Sequence, residues 1–150
     1  PGAPVSGLND AIQISAAAGI AGYTCAVRST GQVACWGETP GSADLSSLAD
    51  AIQVAAGFGH ACAVRASGQV ACWGSNTLGE LGDGTTTTRA VPVSVQGLSD
   101  AVQVAAGDFH SCALRSGGAI ACWGSNRERQ LGDGTTADHR TTPAGVVGIP

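Results

Sequence analysis

Three short stretches alternate apolar and polar residues in the way a half-buried strand does. They are Asp10-Ala11-Ile12-Gln13-Ile14, Asp50-Ala51-Ile52-Gln53-Val54 and Asp100-Ala101-Val102-Gln103-Val104. After a small-residue turn, each is followed by two more strand-like runs. In the middle copy these are Cys62-Ala63-Val64-Arg65 and Val70-Ala71-Cys72-Trp73-Gly74, and matching runs begin at Cys25 and Val33 in the first copy and at Cys112 and Ile120 in the third. Between the runs stand Ser29-Thr30-Gly31, Ala66-Ser67-Gly68 and Ser116-Gly117-Gly118. A three-residue loop with glycine in third place suits a type I turn closed by a residue of positive φ, so each copy predicts a β-hairpin.

Past the Trp-Gly pair, copies two and three continue through turn-rich connectors, Ser75 to Thr85 and Ser125 to Thr135. These lead to proline-bearing tails around Pro92 and Pro143, which are expected to form a fourth, outermost strand, since an edge strand tolerates the loss of one backbone donor. Copy one departs twice. Its turn is the longer Ala17 to Tyr23, with Tyr23 where the others have His60 and His110, and Glu38 to Leu48 replaces the connector, so this unit is expected to be trimmed. The chain is read as one repeat array over residues 1–150 with units 10–49, 50–99 and 100–150. Residues 1–9 form the tail strand of a preceding repeat, and both ends look cut at a repeat boundary.

Self-similarity at this period points to a stacked array rather than a single layered core. Twenty-three glycines and an aromatic content of 4% suit short strands and tight turns, which makes the fold class all-β. Charged residues are 12% of the chain and the net charge is −4, so nucleic acid is not an expected partner. No apolar run reaches the ~20 residues that cross a bilayer, and no basic-then-apolar leader stands at Pro1. The expectation is a soluble segment with no membrane insertion and no targeting signal of its own.

If Cys62 faces Cys72, then Val64 faces Val70 and Arg65 faces Gln69, a register that the turn glycine sets independently of the cysteines. Counting out from the loop places the cysteine pair on a non-hydrogen-bonded site, within disulfide reach. The favoured reading is three local bridges, Cys25–Cys35, Cys62–Cys72 and Cys112–Cys122, and hence an oxidising environment. Buried free thiols are the alternative, and a metal site is the weakest reading because the spacing matches no zinc motif. On the opposite face Ala61 pairs with Trp73 and Ala63 with Ala71. The tryptophans are therefore expected to be core between repeats rather than exposed platforms.

His60 and His110 stand at a fixed place before each hairpin, with no nucleophile or acid in the motif, and read as turn-capping or packing residues. Asp83-Gly84-Thr85 and Asp133-Gly134-Thr135 offer one carboxylate per loop, too few oxygens for calcium, and read as turns. His139 reads as a solvated loop residue. No paired carboxylates, nucleophile elbow or phosphate loop are present, so neither catalysis nor a cofactor is expected.

The residues Gly107-Asp108-Phe109-His110-Ser111-Cys112-Ala113-Leu114, then Gly118, Trp123-Gly124-Ser125-Asn126 and Gln130-Leu131-Gly132, recur in copy two at matched spacing. In this the chain resembles the repeat family named after the regulator of chromosome condensation. The resemblance implies β-propeller blades of four-stranded antiparallel sheets. Propellers close with about four to eight blades, so three repeats make an incomplete ring unless the array is longer or chains associate through their open blade edges. The cysteine pairs and the low, acidic charge are similar to the bacterial extracellular branch of that family. The expected function is a non-catalytic protein-interaction module, secreted or on the cell surface, whose partner is another protein. It would bind through the loops that differ between copies: Ile20 to Tyr23, Phe58 to His60, Asp108 to His110, Thr77 to Glu80 and Arg127 to Arg129. Tyr23, Phe58, His60, Leu78, Glu80, Asp108, Phe109, His110, Arg127 and Arg129 are the candidate contacts. The alternatives are a self-assembling surface or filament subunit and a regulator of a small GTPase.

Overall fold

The computed structural model describes residues 5, 7–17, 22–38 and 45–148. The alternating stretches become the first strand of each unit: β1 (Ala11–Ala16), β4 (Ala51–Ala56) and β8 (Ala101–Ala106). The cysteine runs become the hairpins β2 (Tyr23–Arg28) with β3 (Val33–Gly37), β5 (His60–Arg65) with β6 (Val70–Gly74), and β9 (His110–Arg115) with β10 (Ile120–Ser125). The proline-bearing tails form β7 (Arg89–Ser94) and β11 (His139–Gly145). Three antiparallel sheets result, in the orders β1-β2-β3, β4-β5-β6-β7 and β8-β9-β10-β11. The first sheet has three strands among the described residues, as the short link after Gly37 leads one to expect. His139 opens β11 rather than lying in a loop, and is exposed there.

The hairpin register is the one the turn glycine dictates. Cys25 pairs with Cys35, Cys62 with Cys72 and Cys112 with Cys122. Gly31, Gly68 and Gly118 have φ of 82°, 82° and 85°. Each cysteine pair is bonded, with Cα separations of 4.1, 4.0 and 4.1 Å, as a non-hydrogen-bonded cross-strand site allows.

Successive blades pack face to face with one polarity. Each blade offers its disulfide face to the tryptophan face of the next. Tyr23, Cys25, Val27 and Val33 of blade one meet Val54, Ala61, Ala63, Ala71 and Trp73 of blade two. Likewise Ala55, Cys62, Val64, Val70 and Cys72 of blade two meet Ala101, Val104, Ala113, Ala121 and Trp123 of blade three. Alanine on one strand leaves room for the ring on its partner, so the large side chain of one blade enters a shallow surface on the other. Because strands alternate faces, one hairpin serves both neighbours.

Candidate functional site

Within each of the last two blades, the loop after the first strand and the connector after the third lie at the same end. The Ser75 N–H donates to the Gly59 carbonyl at 2.7 Å, and the Ser125 N–H to the Phe109 carbonyl at 2.7 Å. The opposite end holds the hairpin turns and three matching ion pairs, Arg28–Asp10, Arg65–Asp50 and Arg115–Asp100, each at 2.8 Å. Their side chains are about a third exposed, so each contributes little to stability.

The loop end carries the more distinctive surface. Phe58 and Phe109, from neighbouring blades, meet edge to face with ring centroids 5.6 Å apart at 64°. Phe109 is 43% exposed. Asp108 is exposed beside this pair and His110 is half-buried. Burial lowers the His110 pKa, opposed in part by the Asp108 carboxylate. On the connectors, Leu78 is half-buried, and Arg127 and Arg129 are exposed.

The remaining candidates lie inside. Tyr23 is 2% exposed, and its hydroxyl donates to the carbonyls of Gly57 and His60 in the next blade. Burial pushes its phenol well above the ordinary range, against a smaller opposite pull from the Gly57 backbone. Glu80 is fully buried. Its Oε2 accepts the Leu78 N–H at 2.8 Å, while its backbone carbonyl accepts Trp123 Nε1 at 2.7 Å and Ser111 Oγ at 3.4 Å. Gln130 fills the same place in blade three, where Oε1 accepts the Glu128 N–H at 2.9 Å. Ile20 and Ala21 lie outside the described residues. The ten candidate residues thus divide into a surface set around Phe58 and Phe109 and an interior set of Tyr23, His60 and Glu80.

His60 is fully buried, and its Nε2 lies 2.9 Å from Ser111 Oγ of the next blade. Burial pushes its pKa down to about 4, with a smaller push from His110. The unfolded chain takes up the same proton near the ordinary value of about 6.5. Between these values the unfolded state binds more protons, so stability falls as pH drops through this window. The fall is up to about 1.4 kcal/mol per pH unit and about 3 kcal/mol in total. Denaturant melts at pH 7 and pH 4.5 should register this loss. His60→Gln, which keeps a polar group for Ser111 without titrating, should remove most of it; an unchanged slope would refute the assignment. The aspartates act lower. The Asp133 carboxyl is held at about 2, chiefly by the Thr135 N–H and then by Arg140, so its contribution is present above the unfolded value near 3.8 and is lost as pH falls towards 2.

Three sets of residues organise the site without having been singled out as doing so in the sequence. The first is an inter-blade clamp: Gln13 Nε2 donates to the Val54 carbonyl at 3.0 Å while its Oε1 accepts the Val54 N–H at 2.9 Å. Gln53 does the same to Val104 at 2.7 and 2.6 Å. The second is the Ser-Asn step of the connectors. Asn76 Oδ1 accepts the Leu81 N–H at 2.9 Å, and its Nδ2 donates to the carbonyls of Thr85 and Thr87 at 3.1 Å each. Third, Asp83 accepts from both the N–H and the hydroxyl of Thr85 and pairs with Arg89, as Asp133 does with Thr135 and Arg140. Their signal was recurrence: a glutamine at one offset in all three strands, Asn and Asp at matched offsets in two connectors, and an Arg six or seven residues after that Asp, in the outer strand. The connectors are therefore internally stapled, and the loop end is a rigid platform.

Two models described as the regulator of chromosome condensation (RCC1) repeat match the chain, one over residues 67–114 and the other over 51–80 and 101–130. Together they span 51–130, more than half of it. The chain belongs to the RCC1-repeat family. No curated protein matches it in sequence. Among solved structures, it is similar to yeast RCC1 (Prp20) bound to Kap60, with a TM-score of 0.77 and 19% identity over 95% of this chain and 38% of that one. It is similar also to human WBSCR16, with a TM-score of 0.74 and 22% identity over 94% of this chain and 39% of that one. The CRINKLY WD40 ectodomain of the Arabidopsis thaliana receptor kinase ACR4 follows, with a TM-score of 0.58 and 22% identity over 80% of this chain and 45% of that one. At such identities the likeness shows the fold: three blades of an RCC1-type propeller, spanning less than half the length of each of these chains.

Proposed function

We propose that this RCC1-repeat chain is a non-catalytic protein-interaction module of a secreted or cell-surface protein, of the bacterial extracellular kind, and that it binds its partner at the loop end of the blades. The observation that carries this reading is the Phe58–Phe109 pair, an aromatic contact between a half-buried and an exposed ring on a stapled frame. Rigid aromatic side chains offer large contact area at a small entropic cost, and Arg127 and Arg129 nearby supply charge at the rim. These residues differ between copies, while the residues that hold the frame repeat. Yeast RCC1 (Prp20), to which this chain is similar in fold, is itself found bound to another protein, Kap60.

The cysteines support the compartment in this reading. All six are bridged, and disulfides of this kind persist in oxidising surroundings. No helix of the described residues is long and apolar enough to cross a membrane. The ACR4 match, an ectodomain, is an example of the fold outside a cell.

Affinity capture from the native host's surface and secreted fraction tests the reading. A variant carrying Phe58→Ser, Phe109→Ser and Arg127→Ser should lose the partners that the parent chain captures. A variant altered only at the far end, Arg28→Ser with Arg65→Ser, should keep them. Identical partners for all three proteins would overturn the loop-end assignment.

A further inference from the structure

β3 and β6 have the same sequence, Val-Ala-Cys-Trp-Gly, and different neighbours. β6 carries β7 on its outer edge, where Cys72 stands opposite Val93 and Ala71 opposite Ser94, and the Val70 carbonyl accepts the Val95 N–H at 2.9 Å. β3 has no strand on that edge among the described residues. The cause lies inside the chain: the link from Gly37 to Ala51 is about half as long as the stretch from Gly74 to Ala101 that contains β7. Blades meet through their faces, so this open edge is set by the link and not by what precedes or follows the three repeats.

The unpaired edge borders a cleft. Cys35 occupies a non-hydrogen-bonded site with Cys25, so its backbone N–H and carbonyl point away from β2, towards the outer edge. A cleft of about 320 Å³ lies beside it, lined by Arg28, Val33, Cys35 and Leu45 of blade one and its link and by Trp73 of blade two. Two comparisons with the next junction show what this cleft lacks. Cys72, beside β7, is 0% exposed, whereas Cys35 is half-buried although it packs against blade two in the same way. The indole N–H of Trp123 donates to the Glu80 carbonyl at 2.7 Å, whereas that of Trp73, equally buried, has no partner among the described residues. A buried donor without an acceptor is costly, and a backbone carbonyl brought into the cleft would relieve it.

We propose that the outer edge of β3 takes an extended segment of a partner protein as the fourth strand of blade one. Main-chain hydrogen bonds to Cys35 supply the affinity, and side chains at alternate positions of the segment supply selectivity. β7 displays the chemistry that a Val-Ala-Cys-Trp-Gly edge accepts. Its alternate valines Val93 and Val95 pack into the junction, and Pro92 falls where the strand's nitrogen faces outward and no donor is needed. The segment that fits is therefore short, extended and β-branched at every second residue. This inference goes beyond the loop-end reading and uses another surface, the blade's outer edge, so either can fail without the other.

The probe is a synthetic peptide with the β7 sequence, Arg89–Val95, carrying a fluorescent label and added to the full chain with isotope-labelled tryptophans. The chain's own β7 is tethered beside β6 and keeps that edge filled, which leaves β3 for the peptide. Fluorescence anisotropy should show saturable binding, and the Trp73 indole N–H resonance should shift while that of Trp123 stays in place. Methylating the peptide nitrogen that corresponds to Val93 removes the donor that would face Cys35 and should weaken binding about tenfold. Leu45→Arg, at a half-buried position outside the sheets, puts a charge into the cleft and should abolish binding with circular dichroism unchanged. Absence of saturable binding overturns the proposal. Equal binding of the methylated peptide, or a shift at Trp123 in place of Trp73, does so as well.

Discussion

Trp123→Ala is expected to destabilise the protein by about 3–5 kcal/mol, the range for truncating a fully buried aromatic side chain. Trp123 is 0% exposed, packs in one cluster with Val64, Val70, Leu81 and Val95 of the preceding blade, and donates its indole N–H to the Glu80 carbonyl at 2.7 Å. Alanine would leave a cavity between two sheets and would take from the Glu80 carbonyl its shorter hydrogen bond, leaving only Ser111 Oγ at 3.4 Å, and neither blade can close the gap without losing the register of its neighbours. The control is Trp36→Ala. It stands at the same offset but on the open face of blade one, half-buried, and its loss should cost about 1–2 kcal/mol. In thermal melts of the monomer the two variants should differ by roughly 5–10 °C. Equal costs would mean that the tryptophans stabilise their own blades and not the junctions. Arrays of this kind owe much of their stability to nearest-neighbour interfaces, so loss of the Trp123 contact should also uncouple blade three.

Reduction of the three disulfides is expected to have the largest effect. Each bridge joins cysteines ten residues apart, and closing a loop of that length restricts the unfolded chain by about 2–3 kcal/mol. Three of them approach the whole stability of an ordinary domain, about 5–15 kcal/mol. The fully reduced chain should therefore melt far lower or fail to fold at all. The bridges should also yield in order. Cys62 and Cys72 are both 0% exposed between blades two and three, whereas Cys35 and Cys112 are half-buried, so thiol trapping under native conditions should label the middle pair last. A reduced chain with an unchanged melting temperature would refute the stabilising role. Thiol blocking before isolation from the native host extends the measurement to the compartment: intact bridges are expected, and six free thiols would sink the extracellular reading.

Much of the fold was legible because its determinants are local. Hairpin register depends on a three-residue turn and a glycine that accepts positive φ, and both lie within a few residues of the pairing they control. The bridges followed from that register, and the burial of Trp73 and Trp123 followed from alanines placed opposite them. The candidate site was legible only in part. Phe58, Asp108, Phe109, Leu78, Arg127 and Arg129 lie at the surface of the loop end. Tyr23, His60 and Glu80 stand in equally variable stretches yet are buried, because the next blade covers them, and nothing within one repeat reports what its neighbour covers.

The sequence by itself therefore determined the blade: its strands, its turns, its disulfides and the alternation that gives each hairpin two apolar faces. Only the tertiary structure decided how blades meet. The Gln13 and Gln53 clamps, the His60–Ser111 contact and the closeness of Gly79 to Arg140 join residues about 40 to 60 positions apart, and a strand's own pattern carries no information about the orientation of another sheet. Packing two blades brought those side chains together.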